Sequence, residues 1–397
     1  MEPQLSQRML GLEHSATFAM AQKSAELAAS GVDVVSLAVG EPDFDTPEHV
    51  QKAAFEAISG GWTKYSPVSG YGSLKKAACG KLLRENGLSY EPSEIIIGNG
   101  AKQCICNAVL ALCGPGDEVI IPAPYWVSYP QMVKLAGADP VFVEAHIEQG
   151  FKITPAQLAA AITPRTRLLI LCSPCNPSGA VYSRAELEGL AAVVLGHEKL
   201  IVISDEIYEH INYTGEHASI ASFPGMKERT VVINGVSKAY AMTGWRIGFM
   251  AAPRWIADAC NLLQGQYTSG PSSVSQKAAE AAWNGPQECV ETMRQSFQRR
   301  RNLLVSLLRE VPGLEVNEPE GAFYLLPRCS SFFGKEAGCR IIRSGDDLAM
   351  YLLECAHVAT VGGDSFGAPD CIRLSYATSE ENIREASARI KAALAAL

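Results

Sequence analysis

Apolar and polar positions along this chain follow two periods. Short apolar runs rich in β-branched residues recur: EIIIG (Glu94–Gly98), EVIIP (Glu118–Pro122), PVFVE (Pro140–Glu144), RLLILC (Arg167–Cys172), LIVIS (Leu200–Ser204), TVVIN (Thr230–Asn234) and IGFMAA (Ile247–Ala252). Several lack polar alternation, as expected of strands covered on both faces. Helical spacing lies between many of them. In Ala101–Cys113, the residues Ile105, Val109, Leu112 and Cys113 share one stripe, and a Gly-Pro-Gly-Asp turn follows. Alternating strands and helices predict an α/β unit with a seven-stranded, mostly parallel sheet between helices. The last two runs are separated by too little helix for a standard crossover, so one of them is expected to run antiparallel.

After Ser269-Gly270-Pro271 the pattern changes. A long helical stretch runs to about Arg309, interrupted at Gly285-Pro286. Weaker strand signals follow at Leu314–Asn317, Gly321–Leu326, Val358–Val361 and Cys371–Ala377. Thr378-Ser379-Glu380-Glu381 has the form of a capping box opening a last helix, with Ile383, Ile390, Leu394 and Leu397 on one stripe. The expected division is a large domain over 46–285 and a smaller α+β domain over 286–397. Residues 1–45 are expected to pack on the small domain.

The length, 397 residues, exceeds what one core fills. At 47% hydrophobic and 19% charged the composition is that of a soluble globular protein. The net charge is −8 without a Lys/Arg stripe, which argues against a nucleic-acid partner. No apolar run approaches the ~18 residues of a membrane span, and the start lacks the pattern of a signal peptide. Twelve Cys dispersed along such a chain suggest reduced thiols and a cytoplasmic setting. No metal site is expected: Cys172-Ser-Pro-Cys175 has no second ligand pair, and the seven His show no ligand spacing. His210 and His217 are expected at the surface. The absence of GxGxxG argues against a dinucleotide enzyme.

Ligands of open parallel sheets bind beyond the carboxyl ends of the strands, so the residues just after each strand are the candidates. Lys238 is the only charge between Arg229 and Arg246. A desolvated lysine is the amine that forms a Schiff base, although an isolated lysine more often snorkels to water. Asp205 either caps a turn or, buried, holds a pyridine nitrogen protonated. Tyr208 is suited to a ring's phenolic oxygen or to simple packing, and Asn176 to a polar ring substituent or a turn. Gly100, Ala101 and Lys102 open a helix whose free N–H groups suit a phosphate, with Arg246 as a matching cation. Tyr125 or Trp126 can stack on a flat ring.

Taken in order, these segments resemble the class I aminotransferases of pyridoxal-phosphate fold type I. The likeness runs from Gly40-Glu-Pro-Asp-Phe-Asp45 through Asn176-Pro-Ser-Gly179, Asp205-Glu-Ile-Tyr208 and Ser237-Lys-Ala-Tyr-Ala-Met-Thr-Gly-Trp-Arg246 to Ile372-Arg-Leu-Ser-Tyr376. The resemblance implies pyridoxal 5′-phosphate as cofactor, with Lys238 as its Schiff-base residue and proton shuttle. It implies Asp205 on the pyridinium nitrogen, Asn176 and Tyr208 on the phenolic oxygen, and Trp126 stacked on the ring. The phosphate falls to Gly100, Ala101, Lys102, Ser237 and Arg246, and to Tyr65 reaching into a neighbouring subunit, hence a homodimer with shared sites. Arg373, helped by Gly40 and Asn176, is implied to clamp the substrate α-carboxylate.

The nearest likeness is to bacterial-type aspartate aminotransferases, some of which use prephenate. There Lys102, Ser15 and Thr17 line the pocket for a distal carboxylate, with Trp126 also in the substrate pocket. Two positions depart from the pattern: Cys175, and Glu13 where a basic residue is expected. The implied reaction is transamination between aspartate or glutamate and 2-oxoglutarate, oxaloacetate or prephenate. An alanine or aromatic aminotransferase, or a β-lyase, remains an alternative on the same scaffold. A non-catalytic pyridoxal-phosphate module would carry an added DNA-binding helix-turn-helix, for which the short N-terminus leaves no room.

Overall fold

The computed structural model describes residues 5–337 and 340–397. Its centre is one seven-stranded sheet. The strands are β1 (Ile95–Gly98), β2 (Glu118–Ala123), β3 (Asp139–Glu144), β4 (Thr166–Cys172), β5 (Ile201–Asp205), β6 (Thr230–Gly235) and β7 (Gly248–Ala251). Their spatial order is β1-β7-β6-β5-β4-β2-β3. Pairings are parallel except along β7, which runs antiparallel to both β1 and β6. The short β6–β7 connection explains this: it holds a single 3-10 turn, Thr243–Trp245, and no crossover helix.

Every residue of the interior strands β5 and β6 is buried, and so is every residue of β1 at one edge. β3 lies at the edge and is largely exposed. The stripe predicted for the helix Ala101–Leu112 packs on the sheet through fully buried Ile105 and Val109. Each such side chain contributes ~1.5–3 kcal/mol on burial.

The helices of the later chain are Glu288–Arg309, Gly345–Ala356 and Glu380–Ala395. The first buries Val290, Met293, Phe297, Leu304 and Leu308 at helical spacing. They share a core with a three-stranded antiparallel sheet in the order Val361–Gly362, Ile372–Ser375, Tyr324–Leu325. Near the N-terminus, Val35–Ser36 pairs in parallel with Val358–Ala359.

Three local expectations fail. Leu314–Asn317 forms no strand, only a bridge from Glu315 to Arg328. Val358–Val361 splits into two short strands serving different partners. The last helix is capped one residue later than predicted: Ser379 accepts from the Asn382 N–H, while Thr378 Oγ1 accepts from the Asn382 side chain.

Candidate active site

Beyond the carboxyl ends of the parallel strands lies a cavity of about 530 Å³. Lys238, Asp205, Tyr208, Asn176, Ser237, Ala101, Lys102, Trp126, Arg246, Arg373, Gly40, Ser15 and Thr17 all line it. The fold therefore gathers residues from eight separate segments. Gly100 sits immediately behind the wall as N-cap of the helix Ala101–Leu112. Tyr65 is the one predicted site residue that the single chain leaves outside: it is 99% exposed, in a separate pocket with Trp62 and Pro271.

Lys238 follows β6 and points back across the strand ends. Its Nζ donates to Gly40 O at 2.7 Å and lies 5.8 Å from the ring centres of Tyr208 and Phe323. Burial, against the partial support of Glu41, lowers the amine to about 8. Asp205 ends β5. Burial raises its carboxyl to about 6, although Tyr129 donates to Oδ2 at 2.6 Å and the Ile207 N–H to Oδ1 at 3.3 Å.

Arg373 enters from the small sheet and is 2% exposed. Its Nη1 donates to Asn176 Oδ1 at 3.0 Å and its Nη2 to Ala38 O at 2.7 Å. Both acceptors are neutral, and Nε has no partner. The guanidinium lies over the rings of Tyr324 and Phe366 at 4.5 and 4.9 Å. A buried cation with only neutral acceptors is costly unless an anion joins it. Tyr208 and Tyr324 share a hydroxyl contact of 2.9 Å.

At the opposite end stand two cations. Arg246, at φ +57°, donates to Thr243 O and Asn99 O. Lys102 Nζ lies 4.9 Å over the Trp126 ring, and burial together with Arg246 lowers its amine. Gly100 is at φ +84°, and a Cβ there would fall 2.3 Å from Arg246 Nη2. The helix start and the guanidinium thus close on a cup that suits a phosphate, since first-turn N–H groups have no intrahelical acceptors. A flat, phosphorylated aldehyde with a ring nitrogen matches the cup, the buried carboxyl and the depressed amine together. The residues present fit pyridoxal 5′-phosphate.

Trp126 is the ring that faces the cavity; Tyr125 instead stacks on Phe142 at 4.9 Å. Glu13 is not in the cavity wall. It pairs with Lys134 Nζ at 2.8 Å, so its charge is neutralised outside the pocket. The sequence reading missed Tyr129, Tyr324 and Cys172. Tyr129 lies one helical turn after Trp126 and packs edge-on against it at 5.4 Å, which is the signal that was available. Cys172 lines the cavity because β4 pairs it in register with Asp205. Tyr324 left no local trace.

His210 and His217 are not surface residues. His217 Nε2 meets Glu206 Oε2 at 2.9 Å with 10% side-chain exposure, and His210 Nε2 meets Glu85 Oε2 at 2.9 Å with 19%. The acids that follow Asp205 turn inward, and these His answer them. Lys81 sits in the same cluster, bonded to Glu209 and Asn86.

The family model for class I and II aminotransferases matches residues 32–390. A bifunctional aspartate aminotransferase and glutamate/aspartate-prephenate aminotransferase of Petunia hybrida is 50% identical over 395 residues, covering 98% of this chain and 82% of the relative. An aspartate/prephenate aminotransferase of Cereibacter sphaeroides is 50% identical over 396 residues, covering 99% of each. Among solved structures, the aspartate aminotransferase of Rhizobium meliloti superposes with a TM-score of 0.96 at 46% identity, covering 99% of each chain.

Proposed function

The chain belongs to the class I and II aminotransferase family, and on that premise we propose that it is a pyridoxal-phosphate-dependent transaminase for acidic amino acids. Aspartate and glutamate are the favoured donors, with 2-oxoglutarate, oxaloacetate and prephenate as acceptors. One observation carries the reading: a depressed amine, Lys238, shares a cavity with a buried carboxyl, Asp205, and a buried guanidinium, Arg373, whose acceptors are neutral.

Pyridoxal 5′-phosphate, when bound, supplies the aldehyde that takes up the amino group and the ring that withdraws electrons from the substrate Cα. The chain does the rest. Arg373 orients the α-carboxylate, with the Asn176 and Ala38 oxygens fixing the plane of its fork. Lys238, near neutrality in this site, is the base that removes the Cα proton of the amino donor and, in the reverse half-reaction, delivers a proton to the Cα of the oxo-acid acceptor. Asp205, held by Tyr129, is placed to keep a ring nitrogen protonated. Ser237, Arg246 and the helix start at Ala101 bind the phosphate. Lys102, in the same cavity wall as Ser15 and Thr17, offers a cation to a distal carboxylate.

Tyr65, fully exposed beside the pocket of Trp62 and Pro271, is assigned to the site of a second copy, which makes the working unit a homodimer. The test is a donor and acceptor screen on the holoenzyme, with aspartate, glutamate, alanine, phenylalanine and prephenate. Preference for aspartate or glutamate supports the reading; a kcat/KM for alanine or phenylalanine above that for aspartate overturns the substrate class.

A further inference from the structure

The segment from Ala38 to Thr46 touches both functional cations. Ala38 O accepts from Arg373 and Gly40 O from Lys238, each at 2.7 Å. At its start the neighbouring Leu37 is tied to the strands Val358–Ala359 and Ile372–Ser375, its N–H donating to Ala359 O at 2.8 Å and its carbonyl accepting from the Ser375 N–H at 2.7 Å. At its end Gln51 donates to Thr46 O. Between these, further side-chain contacts come from two sides. Toward the large sheet, Thr46 Oγ1 donates to Ala241 O at 2.9 Å and accepts from Trp245 Nε1 at 3.0 Å, and Thr243 donates to Glu41. Toward the helix Glu288–Arg309, Arg300 grips Asp43 with two parallel bonds of 2.6 and 2.9 Å. The Arg300 guanidinium also lies 5.0 Å over the Phe44 ring, which meets Phe297 edge-on at 5.4 Å.

We infer that the Asp43–Arg300 pair is a positioning clamp for the α-carboxylate end of the site. It fixes the segment that carries the Ala38 and Gly40 carbonyls and so aims the Arg373 fork, without touching substrate. A two-bond pair stacked on an aromatic ring suits this task, since its geometry is set in plane as well as in distance. The side-chain exposures, 13% for Arg300 and 32% for Asp43, place it between a surface pair and a buried one. The inference rests on the proposed transamination for its kinetic arm only.

Every substrate of such an enzyme has an α-carboxylate, so losing the clamp must weaken donor and acceptor alike. For Arg300→Ala and for Asp43→Asn the KM values of both substrates should rise together, by roughly 5- to 20-fold, with kcat within about twofold. Arg300→Lys, which keeps the charge but not the fork, should fall between. The double variant Asp43→Asn/Arg300→Ala should be no worse than the worse single one. Hydrogen exchange supplies an arm that needs no turnover: amides of 38–46 should exchange faster in Arg300→Ala while those of the large sheet keep their rates. A lowered Tm with unchanged KM, additive effects in the double variant, or unchanged exchange in 38–46 would each overturn the clamp. A wild-type protein without transaminase activity, but with the expected exchange change, would overturn the proposed function and leave the clamp standing.

Discussion

Replacing Lys238 by Met should abolish turnover and at the same time make the protein more stable. Burial takes the amine from its ordinary 10.5 down to about 8. At ~1.4 kcal/mol for each tenfold change in proton affinity, the charged amine costs the native state up to ~3 kcal/mol. The bond donated to Gly40 O, and water in the cavity, offset part of that, so the expected gain is ~1–3 kcal/mol. Methionine is the chosen replacement because it keeps an unbranched chain and leaves little void.

The sign with pH follows from the lowered value. Below about 8 both folded and unfolded chains carry the proton, and the whole cost is present. Between about 8 and 10.5 only the unfolded chain holds it, and the cost fades. Above 10.5 neither does, and Lys and Met variants should be alike in this respect. The assay is urea unfolding of both proteins, stripped of small molecules, at neutral pH and again near the upper end of that window. A Met variant less stable than the parent at neutral pH, or a stability difference indifferent to pH, would refute the reasoning.

Tyr129→Phe removes the O–H bond that partly offsets the burial of Asp205, so the carboxyl should move further above about 6; the acid limb of the kcat/KM profile then shifts to higher pH, and an unmoved limb would count against the Tyr129–Asp205 link. Lys102→Ala should raise KM for aspartate by about 10-fold or more while leaving alanine and phenylalanine within about twofold, as steady-state kinetics on each donor will tell. Lys81→Met breaks a pair whose side chains are 1% and 3% exposed, Lys81 and Glu209, and should cost ~3–5 kcal/mol in chemical unfolding with KM unchanged; a loss below ~1 kcal/mol would show that His217 and His210 already satisfy Glu209.

Much of this protein is legible in its sequence, because the signals are local. Strands covered on both faces must be apolar throughout, so the buried runs of the sheet announced themselves, while the exposed edge strand β3 did not need that cover, and even the antiparallel β7 followed from a connection too short to cross over. The residues just past the strand ends were legible for the same reason: a lone lysine in apolar sequence, an acid closing a strand, a glycine opening a helix. What the sequence alone could not decide was which distant groups meet. Tyr129 reaches Asp205 across 76 positions, Arg373 reaches Ala38 across 335, and Arg300 grips Asp43 across 257. Those contacts depend on how helices and the small sheet pack over the strand ends, and packing leaves no periodic trace in the chain. The same cause misplaced His210 and His217, which looked like a polar turn until the acids beyond Asp205 drew them inward. Local sequence determined the elements and the chemical types at their ends; the tertiary structure alone decided their partners, and through burial the proton affinities of Lys238 and Asp205.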